Sequence, residues 1–331
     1  MTSSHRKGIV LAGGRGTRLG PLTRAVNKHL LPVHDRPLIY FPLACLMMAG
    51  LRRIAVISTP EETSRMQRLL GDGRRWGLRI THLVQPKPDG IAGALVLAED
   101  FLDGAAPVLA LGDNVFLGRH LAPFLRGVTV ARGPRVIVTR VDDPSACGVL
   151  ALDGSGKPAV IVEKPATPPS DLAITGLYLL GPDAPARARR LRPSPRGEIE
   201  ITDLLARHLE ERNLEITRLP HGISWFDAGT PQGLFAATCA MRTLAPEDAT
   251  LLGCPEGVAW RNGWISRAAL ARLGREIGPS AYGRRLVALA EAALIPPLQD
   301  LQPPGASVRE MRSTPRPSPA VVRHAANAPP P

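Results

Sequence analysis

The sequence predicts an α/β fold with a doubly wound, mostly parallel sheet and helices on both faces. Short apolar segments alternate with segments of helical length through the first half of the chain. This alternation is typical of parallel strands joined by crossover helices. A glycine-rich loop follows the first apolar segment, and a Gly-Asp-Asn turn follows the fourth. Ligands of such sheets bind beyond the carboxyl ends of the strands, so both loops mark a candidate site.

In the first half, the predicted strands are buried apolar runs, and two of the predicted helices end at a glycine. In chain order we expect strand 8–11, helix 42–49, strand 54–58, helix 61–70, strand 78–84, helix 91–101 and strand 108–111. This Rossmann-like order gives the sheet its parallel part.

The second half is richer in strands and ends in helices. We expect strands at 135–141, 148–153, 159–163, 175–180 and 214–219, a helix at 198–211 and a loop at 225–230. Residues 246–302 are predicted to form a helical C-terminal segment. The proline-rich residues 303–331 are predicted to be disordered.

Composition narrows the class of protein. The chain has 331 residues, of which 44% are hydrophobic, enough for a sizeable core. A net charge of +12 is compatible with nucleic-acid binding, but only 4% of the residues are aromatic and the arginines are scattered. A basic enzyme that acts on phosphorylated substrates explains the charge as well, so we expect no nucleic-acid partner.

Cysteine usage and the apolar segments indicate the compartment. None of the four cysteines forms a Cys-x-x-Cys pair, so neither a zinc site nor a disulfide framework is expected. The first apolar run is cut short by Gly13 and Gly14, and no segment reaches the roughly 20 apolar residues that span a bilayer. We therefore expect a cytoplasmic protein without a membrane partner.

The glycine-rich loop is the most informative motif. It runs Leu-Ala-Gly-Gly-Arg-Gly-Thr-Arg-Leu and ends at residue 19. Backbone N–H groups of such a loop form an anion nest, and Arg18 is placed to take charge from a departing pyrophosphate. A structural turn is the alternative. A dinucleotide loop would have glycine where Leu19 stands, and a Walker loop would end in Gly-Lys-Ser/Thr. The predicted nucleotide-binding residues here are Leu11, Gly13, Gly14, Gly16, Thr17 and Arg18.

Two acidic residues are candidate ligands of Mg²⁺. Asp113 follows an apolar strand, and Asp227 lies in Trp-Phe-Asp-Ala-Gly-Thr. Mg²⁺ typically takes one or two protein carboxylates and leaves its other positions to phosphates and water. A turn aspartate or a helix cap is the alternative for each. Lys28, soon after the glycine loop, suits the α-phosphate of a triphosphate, although it also fits an exposed helix lysine.

Further residues suit a sugar phosphate and a base. Glu163 suits sugar hydroxyls, whereas Lys164 and Arg196 suit a phosphate. Tyr178 and Trp225 could line a sugar pocket or belong to the core. Gln85 can both donate and accept, which suits the edge of a pyrimidine, and Gly90 would let the backbone approach that base. Asp113 belongs to the nucleotide site as well.

Taken in this order, the motifs resemble the glucose-1-phosphate thymidylyltransferases of the sugar nucleotidyltransferase superfamily. Besides the glycine loop, the resemblance is carried by Leu-Leu-Pro-Val at 30–33, Val-Gln-Pro at 84–86, Pro-Asp-Gly at 88–90, Leu-Gly-Asp-Asn at 111–114, Glu-Lys-Pro at 163–165, Thr-Gly-Leu-Tyr at 175–178 and Arg-Gly-Glu-Ile-Glu-Ile-Thr-Asp at 196–203.

The resemblance implies transfer of a nucleotidyl group from dTTP to glucose 1-phosphate, with Mg²⁺ as cofactor. The product, dTDP-glucose, would feed deoxysugar biosynthesis. The predicted catalytic residues are Arg18, Lys28, Asp113, Lys164 and Asp227, with Asp113 and Asp227 as metal ligands. Gln85 and Gly90 would bind the thymine. Gly148, Glu163, Lys164, Tyr178, Arg196 and Trp225 would bind the sugar phosphate.

The resemblance also implies a homotetramer or homodimer, and a catalytic domain made of two functional parts. Residues 1–245 would be the catalytic domain, with a nucleotide-binding part at 1–115 and a small β-rich sugar-binding part at 116–245.

The chain departs from the family pattern near the predicted site. His29 and Gly93 stand where glutamine is usual, Cys147 replaces a tyrosine and Ala228 a threonine. At a second, regulatory site Leu117 and His221 also differ, whereas Arg261 matches. The alternatives are therefore transfer from another NTP or to another sugar 1-phosphate, and a non-catalytic regulatory homologue that binds a nucleotide sugar. A nicotinamide-dependent oxidoreductase is disfavoured because the loop lacks the third glycine of a dinucleotide-binding loop, at Leu19.

Overall fold

A computed structural model describes residues 6–14, 16–87, 89–130, 133–244 and 251–292. It has the predicted α/β fold, with a mixed, mostly parallel central sheet and a helical C-terminal segment. The predicted tail at 303–331 lies outside the described residues, and of the predicted helical segment at 246–302 only residues 251–292 are described.

The strands are β1 (Arg6–Ala12), β2 (Pro32–Val33), β3 (Arg36–Pro37), β4 (Arg53–Ser58), β5 (Arg79–Val84), β6 (Ala106–Leu111), β7 (Asn114–Leu117), β8 (Arg135–Arg140), β9 (Gly148–Leu152), β10 (Pro158–Glu163), β11 (Leu172–Leu179), β12 (Glu215–Arg218) and β13 (Ser224–Asp227). The α-helices are α1 (Tyr40–Met48), α2 (Pro60–Leu70), α3 (Ile91–Leu97), α4 (Glu99–Leu102), α5 (Leu121–Thr129), α6 (Ala184–Ala188), α7 (Ile201–Glu210), α8 (Pro231–Thr243), α9 (Pro255–Arg261), α10 (Arg267–Ile277) and α11 (Ala281–Glu291). Short 3₁₀ helices cover Thr17–Thr23, Lys28–Leu30 and Arg74–Trp76.

The described residues form two compact units. The first takes residues up to 84, residues 110–130 and those from 221 onward, and the second takes 85–109 and 133–220. This is a division by packing. The predicted division by function, near residue 115, remains a prediction.

In the first unit, β1, β4 and β5 pair in parallel. Val10 lies beside Val56, which in turn lies beside His82. Ile9, Val10 and Ala12 of β1 and the apolar residues of β4 are fully buried, and every residue of α1 is buried. This buried core fixes the carboxyl end of β1, from which the glycine loop emerges.

In the second unit, β9 and β10 form a hairpin. β11 pairs antiparallel with β8 and β9, and β8 pairs in parallel with β12. Helix α7 packs against β10, which carries Glu163 at its end. The antiparallel share of the sheet belongs to this unit.

Three local predictions are wrong. The helix expected at 91–101 is two helices, because Ala98 leaves helical geometry with φ −85° and ψ 3°. The helix expected from 198 begins at Ile201, since Glu200 before it is extended with φ −77° and ψ 138°, and the Ile199 N–H donates to the Asp89 carbonyl. The loop expected at 225–230 begins as β13, which pairs antiparallel with the distant β7.

The C-terminal helices enclose a buried polar network. Arg36 of β3, 3% exposed, donates to the Leu252 carbonyl at 2.5 Å and lies 4.9 Å from the centre of the Tyr282 ring. Tyr282 donates to Glu256 at 2.6 Å. Burial, and then the nearby Cys254 and Glu256, raise the pKa of Tyr282, so the phenol keeps its proton. Residues of α9, α10 and α11 form the apolar core around this network.

Candidate active site

The glycine loop lies directly beside Lys28 in the first unit. Gly14 and Gly16 have φ of 92° and 64°, a region that favours glycine. A Cβ on Gly16 would lie 3.0 Å from Thr23 Cγ2 and 3.2 Å from Lys28 Cβ, so residue 16 lacks space as well. A Cβ on Gly14 would lie 3.8 Å from Lys28 Nζ. The ammonium group therefore stands next to the loop predicted to hold phosphates.

The turn that carries Asp113 is fastened to the end of β1. Gly112 N–H donates to the Leu11 carbonyl at 2.9 Å. A Cβ on Gly112 would lie 2.5 Å from His29 Cδ2 and 2.7 Å from its Nε2, so only glycine fits beside this imidazole. Gly112 was not predicted as a site residue, although it lies within the Leu-Gly-Asp-Asn motif.

Asp113 and Asp227 converge on Gly229. A Cβ on Gly229 would lie 2.9 Å from Asp227 Oδ1, 3.0 Å from Asp113 Oδ2 and 2.8 Å from Arg18 Nη2. The pairing of β13 with β7 brings this about, since it places Asp227 opposite Asn114. Gly229 was not predicted as a site residue, and its position in Asp-Ala-Gly-Thr was the available signal.

Each carboxylate is paired with a predicted phosphate-binding cation. Lys28 Nζ lies 2.5 Å from Asp113 Oδ2, and Arg18 Nη1 lies 3.3 Å from Asp227 Oδ2. The first pair is largely buried, and the second is more open, because the Arg18 side chain is 47% exposed. The four predicted groups thus form one charged cluster.

Burial and charge decide the protonation states around Asp113. Burial alone would raise the pKa of Asp113, but the charge of Lys28 and the hydrogen bonds from Lys28 and Asn114 hold it well below its usual range. Burial, and then the charge of Lys28, lower the pKa of His29 to about 3. At neutral pH the carboxylate is therefore ionised and the imidazole is neutral, with Nδ1 at 2.7 Å from Asn27 Oδ1.

The donor set around Gly229 fits a divalent cation of the Mg²⁺ type. One oxygen of each carboxylate lies within 3.0 Å of the point where a Cβ of residue 229 would stand, and that of Asp227 also accepts from the Gly229 N–H at 2.9 Å. Among the described residues no group of three or more His, Cys, Asp or Glu is arranged to hold a metal. Two carboxylates without further protein ligands suit an ion that completes its coordination with phosphates and water.

A second charged cluster lies in the second unit. Arg196 Nη2 contacts Glu200 Oε1 at 2.7 Å and Glu163 Oε1 at 3.3 Å, and Lys164 Nζ lies 3.5 Å from Glu163 Oε1. Thr202 donates to Glu163 Oε2 at 3.1 Å. Glu200 and Thr202 were not predicted as site residues, although both lie in the motif at 196–203.

Glu163 is the buried centre of this cluster. Burial raises the pKa of Glu163, and the nearby Lys164 and Arg196 oppose this rise only in part. Gly148 packs against the cluster, since a Cβ there would lie 2.9 Å from Thr202 Cγ2 and 3.6 Å from Glu163 Oε2. Lys164 has a φ of 41°, an uncommon value for a residue with a side chain. The structure thus brings Gly148, Glu163, Lys164 and Arg196 together.

The predicted base-binding residues also lie in the second unit. Gln85 is 7% exposed, and its Nε2 donates to Asp89 Oδ1 and, at 3.3 Å, to the Gly90 carbonyl. Gly90 has a φ of 96°, and a Cβ there would lie 2.5 Å from the Ile199 carbonyl oxygen. Glycine at residue 90 is therefore required by the chain itself, whatever it contributes to a ligand.

The two predicted aromatic residues belong to different units. Trp225 lies on β13, and its Nε1 donates to Asn114 Oδ1 at 2.5 Å, next to Asp113. Tyr178 lies on β11 opposite Val136 and is 5% exposed. Their roles toward a sugar stay predictions.

The comparisons with known proteins agree on one family. A sequence model of nucleotidyl transferases matches residues 7–243. The chain belongs to the nucleotidyl transferase family. The predicted family and enzyme type are thereby confirmed, as is the α/β fold class.

The relatives of this family member include glucose-1-phosphate thymidylyltransferases that align over nearly their whole length. The protein of Xanthomonas campestris pv. campestris is 44% identical over 293 residues, which is 88% of this chain and 99% of the relative. That of Neisseria gonorrhoeae is 43% identical over 284 residues, with 86% and 99% covered. That of Mycobacterium tuberculosis is 41% identical over 285 residues, with 86% and 99% covered.

Solved structures show the same fold. A Bacillus anthracis protein assigned as a glucose-1-phosphate thymidylyltransferase, in complex with sucrose, matches with a TM-score of 0.66 and 38% identity, over 72% of this chain and 96% of that chain. A UDP-glucose pyrophosphorylase complexed with UDP-glucose matches with a TM-score of 0.62 over 72% of this chain and 98% of that chain. At 24% identity the second likeness concerns the fold alone.

In the part of the chain that the structure describes, every helix is too short or too polar to cross a membrane.

Proposed function

We propose that the chain transfers a thymidylyl group from dTTP to glucose 1-phosphate, which yields dTDP-glucose and pyrophosphate. The observation that carries this proposal is the convergence of Asp113 and Asp227 on Gly229, beside Arg18, Lys28 and the glycine loop. The 41–44% identity to proteins named glucose-1-phosphate thymidylyltransferase supports the choice of substrates.

In the proposed reaction an ionised oxygen of glucose 1-phosphate attacks the α-phosphorus of dTTP. A new P–O bond forms, the bond from the α-phosphorus to the bridging oxygen breaks, and its electron pair leaves with pyrophosphate. The attacking oxygen carries no proton at neutral pH, so the chain needs no general base. Positioning and charge stabilisation then account for catalysis.

The charged clusters of the first and second units have different roles in the proposed reaction. The loop N–H groups and Arg18 bind the phosphates that leave, and Lys28 neutralises the α-phosphate. Asp113 and Asp227 would hold Mg²⁺, which when bound supplies positive charge to the triphosphate. Lys164 and Arg196 orient the sugar phosphate, and the buried Glu163 accepts hydrogen bonds from sugar hydroxyls.

Base recognition and assembly complete the proposal. Gln85 and Gly90 bind the thymine. We further propose a homotetramer or homodimer in the cytoplasm. The cytoplasmic location is supported by the four cysteines, none of which forms a disulfide in the described part of the chain. Light scattering of the purified chain measures the mass of the assembly, and a monomer would refute this part.

The decisive experiment measures pyrophosphate release from a matrix of NTPs and sugar 1-phosphates, with Mg²⁺ and with EDTA. We expect Mg²⁺-dependent release that is fastest with dTTP and glucose 1-phosphate, and dTDP-glucose as the product by mass spectrometry. A folded protein that releases no pyrophosphate with any pair would refute the proposal. Faster pyrophosphate release with another pair would mean that the chain acts on those substrates instead.

A further inference from the structure

The amide of Gln85 is held in a single orientation. Its Nε2 faces two acceptors, the Oδ1 of Asp89 and the Gly90 carbonyl oxygen. An amide nitrogen has two N–H donors, one for each of these acceptors. The reverse orientation would direct Oε1 at two oxygens and leave two acceptors facing each other.

The Oε1 atom of Gln85 is left for a ligand. It accepts no hydrogen bond from the described residues, and it is not among their buried polar atoms that lack a partner, so it is in contact with solvent. A glutamine amide can donate as well as accept, but the Gln85 N–H groups are directed at Asp89 and Gly90. Gln85 therefore presents only a hydrogen-bond acceptor to a ligand.

The carboxylate of Asp89 keeps its position because residue 93 is glycine. A Cβ on Gly93 would lie 2.6 Å from Asp89 Oδ1, 2.7 Å from its Cγ and 2.9 Å from its Oδ2. The carboxylate therefore lies against the bare backbone of α3. The main chain of Asp89 is held separately, since its carbonyl accepts from Ile199 N–H at 2.7 Å.

We propose that Asp89 is a positioning residue for base specificity, which it exerts by fixing Gln85 as an acceptor, and that Gly93 makes this arrangement possible. Thymine and uracil present an N3–H donor between two carbonyl oxygens, whereas cytosine presents a bare N3 acceptor. A fixed acceptor on the protein therefore selects the imide bases and repels cytosine at this atom. This inference rests on the proposed function and adds the cause of base selection.

Two independent variants disturb the carboxylate in different ways. Asp89→Ala removes the acceptor but keeps the main-chain bond to Ile199. Gly93→Ala keeps the aspartate but pushes its carboxylate away, and in a helix this change favours folding. Gly127→Ala is the matched control, because Gly127 also lies in a helix, α5, and a Cβ there would have no atom within 4 Å.

The readout is the ratio of affinities for dTTP and dCTP, measured by calorimetric titration and repeated as the ratio of kcat/KM. We expect the wild-type chain and Gly127→Ala to prefer dTTP, and both site variants to reduce the preference about tenfold or more. The KM for glucose 1-phosphate should not change. A structural defect alone would weaken both nucleotides equally.

The outcomes separate the two proposals. Should the wild-type chain make dTDP-glucose while both variants keep its dTTP-to-dCTP ratio, the role of Asp89 is wrong and the proposed function stands. Should the wild-type chain bind neither nucleotide and release no pyrophosphate, the proposed function fails and the inference fails with it. If Asp89→Ala does not fold, Gly93→Ala decides alone.

Discussion

Replacement of Gly229 by alanine tests the convergence of the two carboxylates. The new Cβ would stand within 3.0 Å of atoms of Arg18, Asp113 and Asp227. All three atoms are ends of side chains, and φ of residue 229 lies outside the region that favours glycine. We therefore expect the fold to persist while the charged groups move apart.

The size of the effect follows from these distances. An ordinary carbon–oxygen contact is about 3.5 Å or more, so each group must move by roughly half an ångström or more. A displacement of about 1 Å at a reacting centre costs on the order of 100-fold in rate, or about 2.7 kcal/mol of barrier. We expect kcat/KM for pyrophosphate release to fall by about this factor, with a shift to higher Mg²⁺ requirement.

Gly154→Ala is the matched control, because Gly154 is a turn residue and a Cβ there would have no atom within 4 Å. Thermal unfolding of both variants shows whether the fold is kept. If Gly229→Ala folds and retains activity close to that of Gly154→Ala, the carboxylates do not act together at this point, and the metal site is misassigned.

Three further predictions follow from the clusters. Asp227→Asn should raise the Mg²⁺ concentration for half-maximal activity about tenfold or more. It should leave the free energy of unfolding nearly unchanged, since the ion pair of Asp227 with Arg18 is exposed. An unaltered Mg²⁺ titration would contradict the role of Asp227 as a metal ligand. Lys164→Ala should raise the KM for glucose 1-phosphate about tenfold or more but leave the KM for dTTP unchanged. Lys157→Ala, at the opposite end of β10, is the control. Equal KM values for glucose 1-phosphate in both variants would exclude a contact between Lys164 and the sugar phosphate. Folding lowers the pKa of His29 from 6.5 to about 3. As the pH falls, the imidazole is therefore protonated in the unfolded chain before it is protonated in the folded chain. The free energy of unfolding should fall by on the order of 4 kcal/mol between about pH 6.5 and pH 3. His29→Gln should flatten that part of the pH dependence in urea unfolding, and an identical slope in both proteins would refute the assignment.

The elements that the sequence predicted well are those with a strong local signal. The strands at 54–58 and 159–163 were each placed within one residue, since apolar runs bounded by turn residues mark buried strands. By contrast, β13 was predicted to be a loop. Its partner β7 lies more than a hundred residues away, and no local pattern reveals such a pairing.

The same distinction holds for the candidate site. The glycine loop, Asp113 and Lys164 are carried by short motifs with a recognisable chemistry. The meeting of Asp113 with Asp227 is not local. Their residue types and the turns that carry them suggested a shared metal ion, and the resemblance to a family supported it, but no local pattern shows that the two residues meet. Contacts that depend on side-chain placement, such as Asp89 against Gly93 and Thr202 on Glu163, have no signal in the sequence alone.

The network around Arg36 sets a lower limit on how much chain this fold needs. The family match ends at residue 243, but the guanidinium of Arg36 depends on Leu252 and Tyr282 beyond that point. Loss of the residues beyond 243 would leave the ion pair of Arg36 with Asp35, but it would remove these two contacts and the apolar core of α9, α10 and α11 around them. The piece of chain that keeps the buried surroundings of Arg36 is therefore longer than the piece that the family model matches.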